Sequence, residues 1–242
     1  MSSLCVITAR GGSKRIPRKN IRDFCGKPII AYSIELALSC GLFDEVMVST
    51  DDVDIAEIAK SYGAAVPFMR SDAASDDYAT TRDVLLEVLK EYRGRGIEPD
   101  ILCCIYPTAP FITVDKLRKA YAALENGADS VMPVVAFGFP PQRGLLVEEG
   151  RLACINPEDM MKRSQDLPKV YHDCGQFYFY RVDAFLKGNP LLDGRAAPIV
   201  MPDTEVQDID DESDWVIAEM KYRVMQGEGS KAPSPCGEGV LR

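Results

Sequence analysis

Two stretches hold residues whose types and spacing could do chemistry. Between positions 9 and 20 the chain reads Ala-Arg-Gly-Gly-Ser-Lys-Arg-Ile-Pro-Arg-Lys-Asn, and at 206–210 it reads Val-Gln-Asp-Ile-Asp. The first suits an anion. Gly11 and Gly12 let the backbone approach closely and turn its N–H groups outward. Arg10, Lys14, Arg15, Arg18, Lys19 and Arg22 add positive charge before the first acidic residue, Asp23. The second suits a hard cation. In an extended segment, period two places Asp208 and Asp210 on one face and buries Ile209 on the other. Mg²⁺ takes one or two carboxylates and fills its remaining positions with water and phosphate oxygens. On spacing alone a metal pair and an acidic helix start are equal readings, because Asp211, Glu212 and Asp214 follow. The basic loop is neither G-x-x-x-x-G-K-[ST] nor G-x-G-x-x-G, which excludes two familiar phosphate motifs. A solvated basic loop is the plainer alternative. Two glycines directly after an apolar run favour the anion site.

Strand-like and helix-like segments alternate around these stretches. Residues 4–9, 45–50, 101–106 and 130–135 read as strands, and 65–69 as a short edge strand containing Pro67. Helices are expected over 28–40, over 53–62 with Asp51 or Asp52 as cap and Gly63 as stop, and from Thr80-Thr-Arg-Asp83 to about 93. Another runs from Thr113 to Gly127. Residues 137–172 look like an insertion with small strands of its own. The chain then returns to the sheet at 176–180, adds a last strand at 197–201 and ends in a helix at 211–226. The Gly/Pro/Ser-rich stretch 227–242 is expected to be a disordered tail. β-α alternation of this kind predicts a parallel sheet with helices on both faces, in one domain spanning 1–226.

A net charge of −9 argues against non-specific nucleic-acid binding. No apolar run approaches the ~18 residues of a membrane span, and there is no signal-peptide pattern. The eight cysteines form no C-x-x-C pair and lie mostly in apolar runs, so they read as reduced core thiols of a cytoplasmic protein.

The 9–20 stretch resembles the signature loop of the CMP-sugar-acid synthetases, cytidylyltransferases that activate nonulosonic acids such as sialic acid. Gly26-Lys-Pro-Ile-Ile30 fits their next segment, and the likeness continues to about Met225. It implies a Rossmann-like, glycosyltransferase-A-like nucleotidyltransferase fold: α/β, three layers, a mostly parallel sheet and a small inserted dimerisation region. It implies CTP bound by Ala9, Arg10, Gly11, Gly12, Ser13, Lys14, Lys19, Asn20 and Arg70, with Arg10, Lys14 and Lys19 carrying the catalytic charge. Thr80 and Thr81 end a loop, slightly longer than in the sialic acid enzymes, that matches the cytosine-binding one. Either threonine serves equally well as a helix cap. The family's D-x-D metal motif falls on Asp208 and Asp210, which tips the even reading toward Mg²⁺ (or Mn²⁺).

The acceptor side resembles the pseudaminic acid branch. Tyr106-Pro-Thr-Ala-Pro110 carries tyrosine where glutamine is usual. The 139–143, 163–168 and 171–178 stretches also match that branch. Arg143 and Arg163 suit a sugar carboxylate, since the guanidinium fork donates two parallel bonds. Gln142, Gln165 and Gln176 would meet N-acyl groups or hydroxyls, and His172, the only histidine, would orient the sugar. The resemblance thus implies CTP and a nonulosonic acid as partners and a homodimer whose insertion reaches the second copy's site. It implies no nucleic acid and no membrane. The alternatives are the same reaction on sialic or legionaminic acid, and a nucleotide- or sugar-binding module without turnover.

Overall fold

The computed structural model describes residues 1–76, 78–188, 190–191 and 195–227. In chain order it contains β1 (Ser3–Thr8), a small ribbon of β2 (Asp23–Phe24) and β3 (Lys27–Pro28), α1 (Ile29–Ser39), β4 (Glu45–Ser49), α2 (Val53–Ser61), α3 (Thr81–Gly94) and β5 (Ile101–Ile105). There follow α4 (Val114–Glu125), β6 (Ser130–Ala136), the hairpin β7 (Leu145–Glu148) and β8 (Arg151–Cys154), β9 (Tyr171–Asp173), β10 (Phe177–Arg181), α5 (Val182–Lys187), β11 (Ala196–Val200) and α6 (Glu212–Met225). The tail expected from 227 lies, from 228 onward, outside the described residues.

The main sheet has seven strands in the order β11-β6-β10-β5-β1-β4, with β9 also paired to β6. β1 is parallel to β4 and β5, and β11 is parallel to β6. The sheet is mostly parallel, as expected, and β10 is an antiparallel member between β5 and β6. The reason is continuity with β9. That strand already runs antiparallel to β6, and only Cys174, Gly175 and Gln176 separate β10 from it, too few to reverse the chain and cross over. The two form one antiparallel track along β6, broken at Gly175, whose φ is +61°. Residues 65–69 form no strand. Ala65 alone makes a parallel bridge to Met47, and Pro67 has no N–H with which to extend it.

The period-two pattern divides the core. Cys5, Ile7, Val46, Val48, Ile101, Cys103, Phe177 and Phe179 pack against α1, α2 and α4 on one face. Leu4, Val6, Met47, Leu102, Cys104, Tyr178 and Tyr180 meet α3 and Phe185 of α5 on the other. β5 is therefore buried on both sides. A third cluster brings Ile16, Phe24, Ile29, Phe111, Ile209, Trp215 and Ala218 together. It ties the basic loop, the start of α1 and α6 to one another, although they are distant in sequence.

Candidate active site

The loops after β1, β4 and β5 meet at one end of the sheet, where open α/β folds bind ligands. They surround a cleft of ≈ 560 Å³ lined by Arg10, Ser13, Lys14, Arg15, Lys19, Asn20, Arg70, Thr81, Tyr106 and Asp210, among others. The glycine loop is held in place by its neighbours. The Gly11 N–H donates to Asp51 Oδ1 at 2.9 Å, and the Asn20 amide donates to the Arg10 carbonyl at 2.9 Å. A Cβ at Gly11 would lie 2.5 Å from Asp52 Oδ2, so this position requires glycine for close approach. Ala9 is fully buried and supports the loop from the core. Arg70 is buried, and its guanidinium donates to Ser49 Oγ at 3.0 Å and to the Ser49 carbonyl.

The basic residues divide into two groups. Arg10, Lys14, Arg15 and Lys19 line the cleft. Arg18 instead bridges Asp52 and Asp54, and Arg22 pairs with Glu212 while stacking over Trp215 at 4.6 Å. Sequence reading counted all six toward the anion.

Asp208 and Asp210 stand on the connector between β11 and α6. The connector is not a strand, but Ile209 is buried between the two aspartates, as the spacing predicts. Burying Ile209 contributes about 1.5–3 kcal/mol. The exposed Arg15–Asp210 pair, at 2.6 Å, contributes about 0–1 kcal/mol. Packing, not the ion pair, therefore places the carboxylates. Lys19 Nζ donates to the Ile209 carbonyl at 2.6 Å, which joins the basic loop to the acidic connector. Burial holds the Lys19 ammonium below its usual range, against the pull of Asp210 and Asp208. Desolvation and the like charge of Asp210 raise Asp208. Two carboxylates that repel each other beside a cleft lined by basic residues fit a divalent cation. Among the described residues no group of three or more His, Cys, Asp or Glu could hold a metal. The fit is therefore to an ion that shares its remaining positions with substrate oxygens and water.

Tyr106 links this cleft to a second one of ≈ 490 Å³, lined by His172, Asp173, Gly175, Tyr178, Asp208 and Lys221, among others. The Tyr106 hydroxyl is 2.9 Å from Thr81 Oγ1. Tyr178 donates to Asp173 Oδ2 at 2.5 Å. The structure also separates the two threonines. Thr80 forms a capping box with Asp83, whereas Thr81 lines the nucleotide-side cleft. Thr80 is accordingly a cap and does not line the nucleotide-side cleft. Thr113 occupies the N-cap of α4 but makes no side-chain capping bond.

Comparison with known proteins places this geometry. The profile of the family described as Cytidylyltransferase matches residues 4–174. The chain belongs to the cytidylyltransferase family. It is 42% identical over 226 residues to the pseudaminic acid cytidylyltransferase of Campylobacter jejuni, covering 93% of this chain and 97% of that protein. It is 30% identical over 231 residues to the CMP-N,N'-diacetyllegionaminic acid synthase of Legionella pneumophila, covering 93% and 98%. Its fold resembles the solved structure of a CMP:2-keto-3-deoxy-manno-octonic acid synthetase complexed with CTP, with a TM-score of 0.67, 19% identity and coverage of 94% and 100%.

In this cytidylyltransferase several expected acceptor residues lie elsewhere. Gln176 is buried, and its amide donates to the Glu205 carbonyl at 2.7 Å. It supports the connector that carries Asp208 and does not line the cleft. Gln142 donates to the Pro168 carbonyl at 2.8 Å. Arg163 pairs with Asp166, Arg143 reaches Ser164 at 3.4 Å, and Gln165 is exposed beside them. None of these four lines either cleft of its own chain. His172 does line the acceptor-side cleft, with Nδ1 2.8 Å from the Asp173 carbonyl and its ring against Phe137. Sequence reading missed Asp173 and Lys221. Lys221 Nζ donates to the Val206 carbonyl at 2.7 Å and the Asp203 carbonyl at 3.1 Å. It sits in the helical pattern of α6, where nothing local sets it apart.

Proposed function

We propose that the chain transfers the cytidylyl group of CTP to a nonulosonic acid, pseudaminate, giving CMP-pseudaminate and diphosphate. The observation that carries this is the pair of clefts joined at Tyr106, with Asp208 lining one and Asp210 the other. The identity to the Campylobacter jejuni enzyme over nearly the whole chain selects pseudaminate among sugar acids.

The triphosphate lies along Ser13, Lys14 and Lys19, and the two lysine charges offset its own. Arg70 and Thr81 face the nucleoside end of the cleft. The acceptor occupies the second cleft, beside His172, Asp173 and Lys221. Its anomeric hydroxyl oxygen forms the new bond to the α-phosphorus, the α–β phosphoanhydride bond breaks, and the hydroxyl proton is released. Positioning and charge stabilisation do most of this work. Asp208 and Asp210 would hold Mg²⁺, which when bound supplies charge neutralisation at the phosphate oxygens.

The working unit in this proposal is a cytoplasmic homodimer. On the inserted segment Phe139, Val147, Leu152 and Met161 are 89%, 75%, 71% and 94% exposed. Four large apolar side chains exposed on one segment favour burial against another protein surface. Arg143 and Arg163 stand on the same segment, outside their own chain's clefts, and would serve the acceptor cleft of a second copy. The free, mostly buried cysteines fit a reducing compartment. No helix among the described residues is long and apolar enough to cross a membrane.

Pyrophosphate release from CTP with Mg²⁺, compared between pseudaminate and N-acetylneuraminate, tests the proposal. Turnover with pseudaminate is expected. Turnover with N-acetylneuraminate alone would overturn the acceptor assignment, and turnover with neither would overturn the reaction.

A further inference from the structure

Arg18 has a left-handed backbone, with φ 56° and ψ 26°. A side chain with a Cβ meets its own backbone there, and glycine would avoid that cost. Strain kept at one residue points to a use for its side chain. Here the guanidinium forks onto two carboxylates: Nη1 donates to Asp52 Oδ2 and Nη2 to Asp54 Oδ2, each at 2.6 Å.

Those carboxylates belong to the first turn of α2. Asp52 caps the helix, accepting the Ile55 N–H at 3.0 Å through its other oxygen. Its neighbour Asp51 accepts the Gly11 N–H. The glycine loop is thus tied to the start of α2 at both ends, by Gly11 where it leaves β1 and by Arg18 where it turns toward α1. Between the ties, Ser13, Lys14 and Arg15 line the nucleotide-side cleft. Asp52 also fills the space a Cβ at Gly11 would need, so the carboxylate that Arg18 holds packs directly against the glycine loop.

We propose that Arg18 is a positioning residue for the triphosphate. It touches no substrate. It neutralises two carboxylates behind the loop, which would otherwise repel an anion in front of it, and it fixes the loop so that Lys14 and Lys19 face the cleft. Desolvation opposes ionisation of Asp52, but the Ile55 N–H and Arg18 outweigh it and hold the group below the usual carboxylate range, in keeping with this role. The proposal rests on the CTP reading above.

Two substitutions separate the side chain from the backbone. Arg18→Ala removes the fork and keeps the left-handed strain, whereas Arg18→Gly removes both. Both should raise the KM for CTP about tenfold, the scale of a lost charge-assisted pair, with the KM for the sugar acid within about twofold. Arg18→Gly should melt ~2–4 °C above Arg18→Ala, because glycine relieves the strain. Arg18→Lys, with one ammonium for two carboxylates, should fall between wild type and Arg18→Ala. An unchanged KM for CTP in both main variants would sink the proposal. So would a KM that follows the melting temperature, normal in Arg18→Gly and raised in Arg18→Ala, or an equal rise for the sugar acid. The rise in melting temperature of the wild-type protein on adding CTP and Mg²⁺ tests the underlying reading separately. If wild type shows neither that rise nor pyrophosphate release, the CTP assignment fails before any variant is compared.

Discussion

Asp208, Asp210 and Asp214 are three carboxylates within seven residues with three different surroundings. Asp208 and Asp210 flank Lys19, which donates to the carbonyl between them. Asp214 Oδ2 instead accepts the backbone N–H groups of Asp210 at 2.9 Å and Asp211 at 3.1 Å. Asp208→Asn and Asp210→Asn should each lower kcat about 10²-fold, the range found when a charge-stabilising group is removed from an active site. Asp214→Asn should cost less, about tenfold, by loosening the backbone that carries Asp210. Steady-state pyrophosphate release measures all three, and equal rates would remove the metal assignment. The glycine loop was legible in sequence because it is a local motif, and the period-two spacing foresaw the burial of Ile209 between the two aspartates while leaving a metal pair and a helix start as equal readings. Gln176 was not legible. Its partner is the carbonyl of Glu205, 29 residues later, and no local pattern tells a buried amide that braces a loop from one that meets a ligand.

Helices α3 and α6 each start with a capping box, Thr80 with Asp83 and Asp211 with Asp214. Thr80→Ala should cost about 1 kcal/mol and lower Tm by ~2–4 °C, with an unchanged KM for CTP. Thr81→Val should do the reverse, since Thr81 faces the cleft. Calorimetry and kinetics on the two variants test the separation. The caps also set an acid limb. The Thr80 hydroxyl and backbone N–H hold Asp83 below its ordinary pKa, and Ser213 and the Asp214 N–H do the same for Asp211. A depressed folded pKa stabilises the fold above the ordinary carboxylate value of about 4. That stability is lost as pH falls through the folded value. Asp83→Asn should flatten the dependence of Tm on pH below about 4, and it should lower Tm more at neutral pH than in acid, where the wild-type carboxylate is already protonated. Most helices were readable from caps and periodicity. The direction of β10 was not, because apolar alternation is the same in parallel and antiparallel strands, and only the short link from β9 decides it.

At the scale of the molecule, the β7–β8 hairpin is one part that the single chain leaves uncovered. If the proposed dimer forms through this hairpin, Val147→Glu with Leu152→Glu should convert it to a monomer in sedimentation equilibrium. Tm should change little, because both side chains are already exposed, while the KM for the sugar acid should rise if Arg143 and Arg163 act across the interface. A dimer that survives the change would locate the contact elsewhere. The sequence suggested an insertion through its hairpin and loop pattern, but not which of its faces stays bare, since that depends on what the sheet covers.

β10 also bears on how the chain matures. It is among the last strands made, yet it lies between β5 and β6, which are both made earlier. During synthesis those two strands wait with open edges until residue 181 has emerged. Only then can the two halves of the sheet be joined, through contacts that are distant in sequence and slow to form. The family match ends at residue 174, short of β10. A fragment cut there would keep the glycine loop and lose the strand that closes the core. It should be insoluble or readily digested by protease.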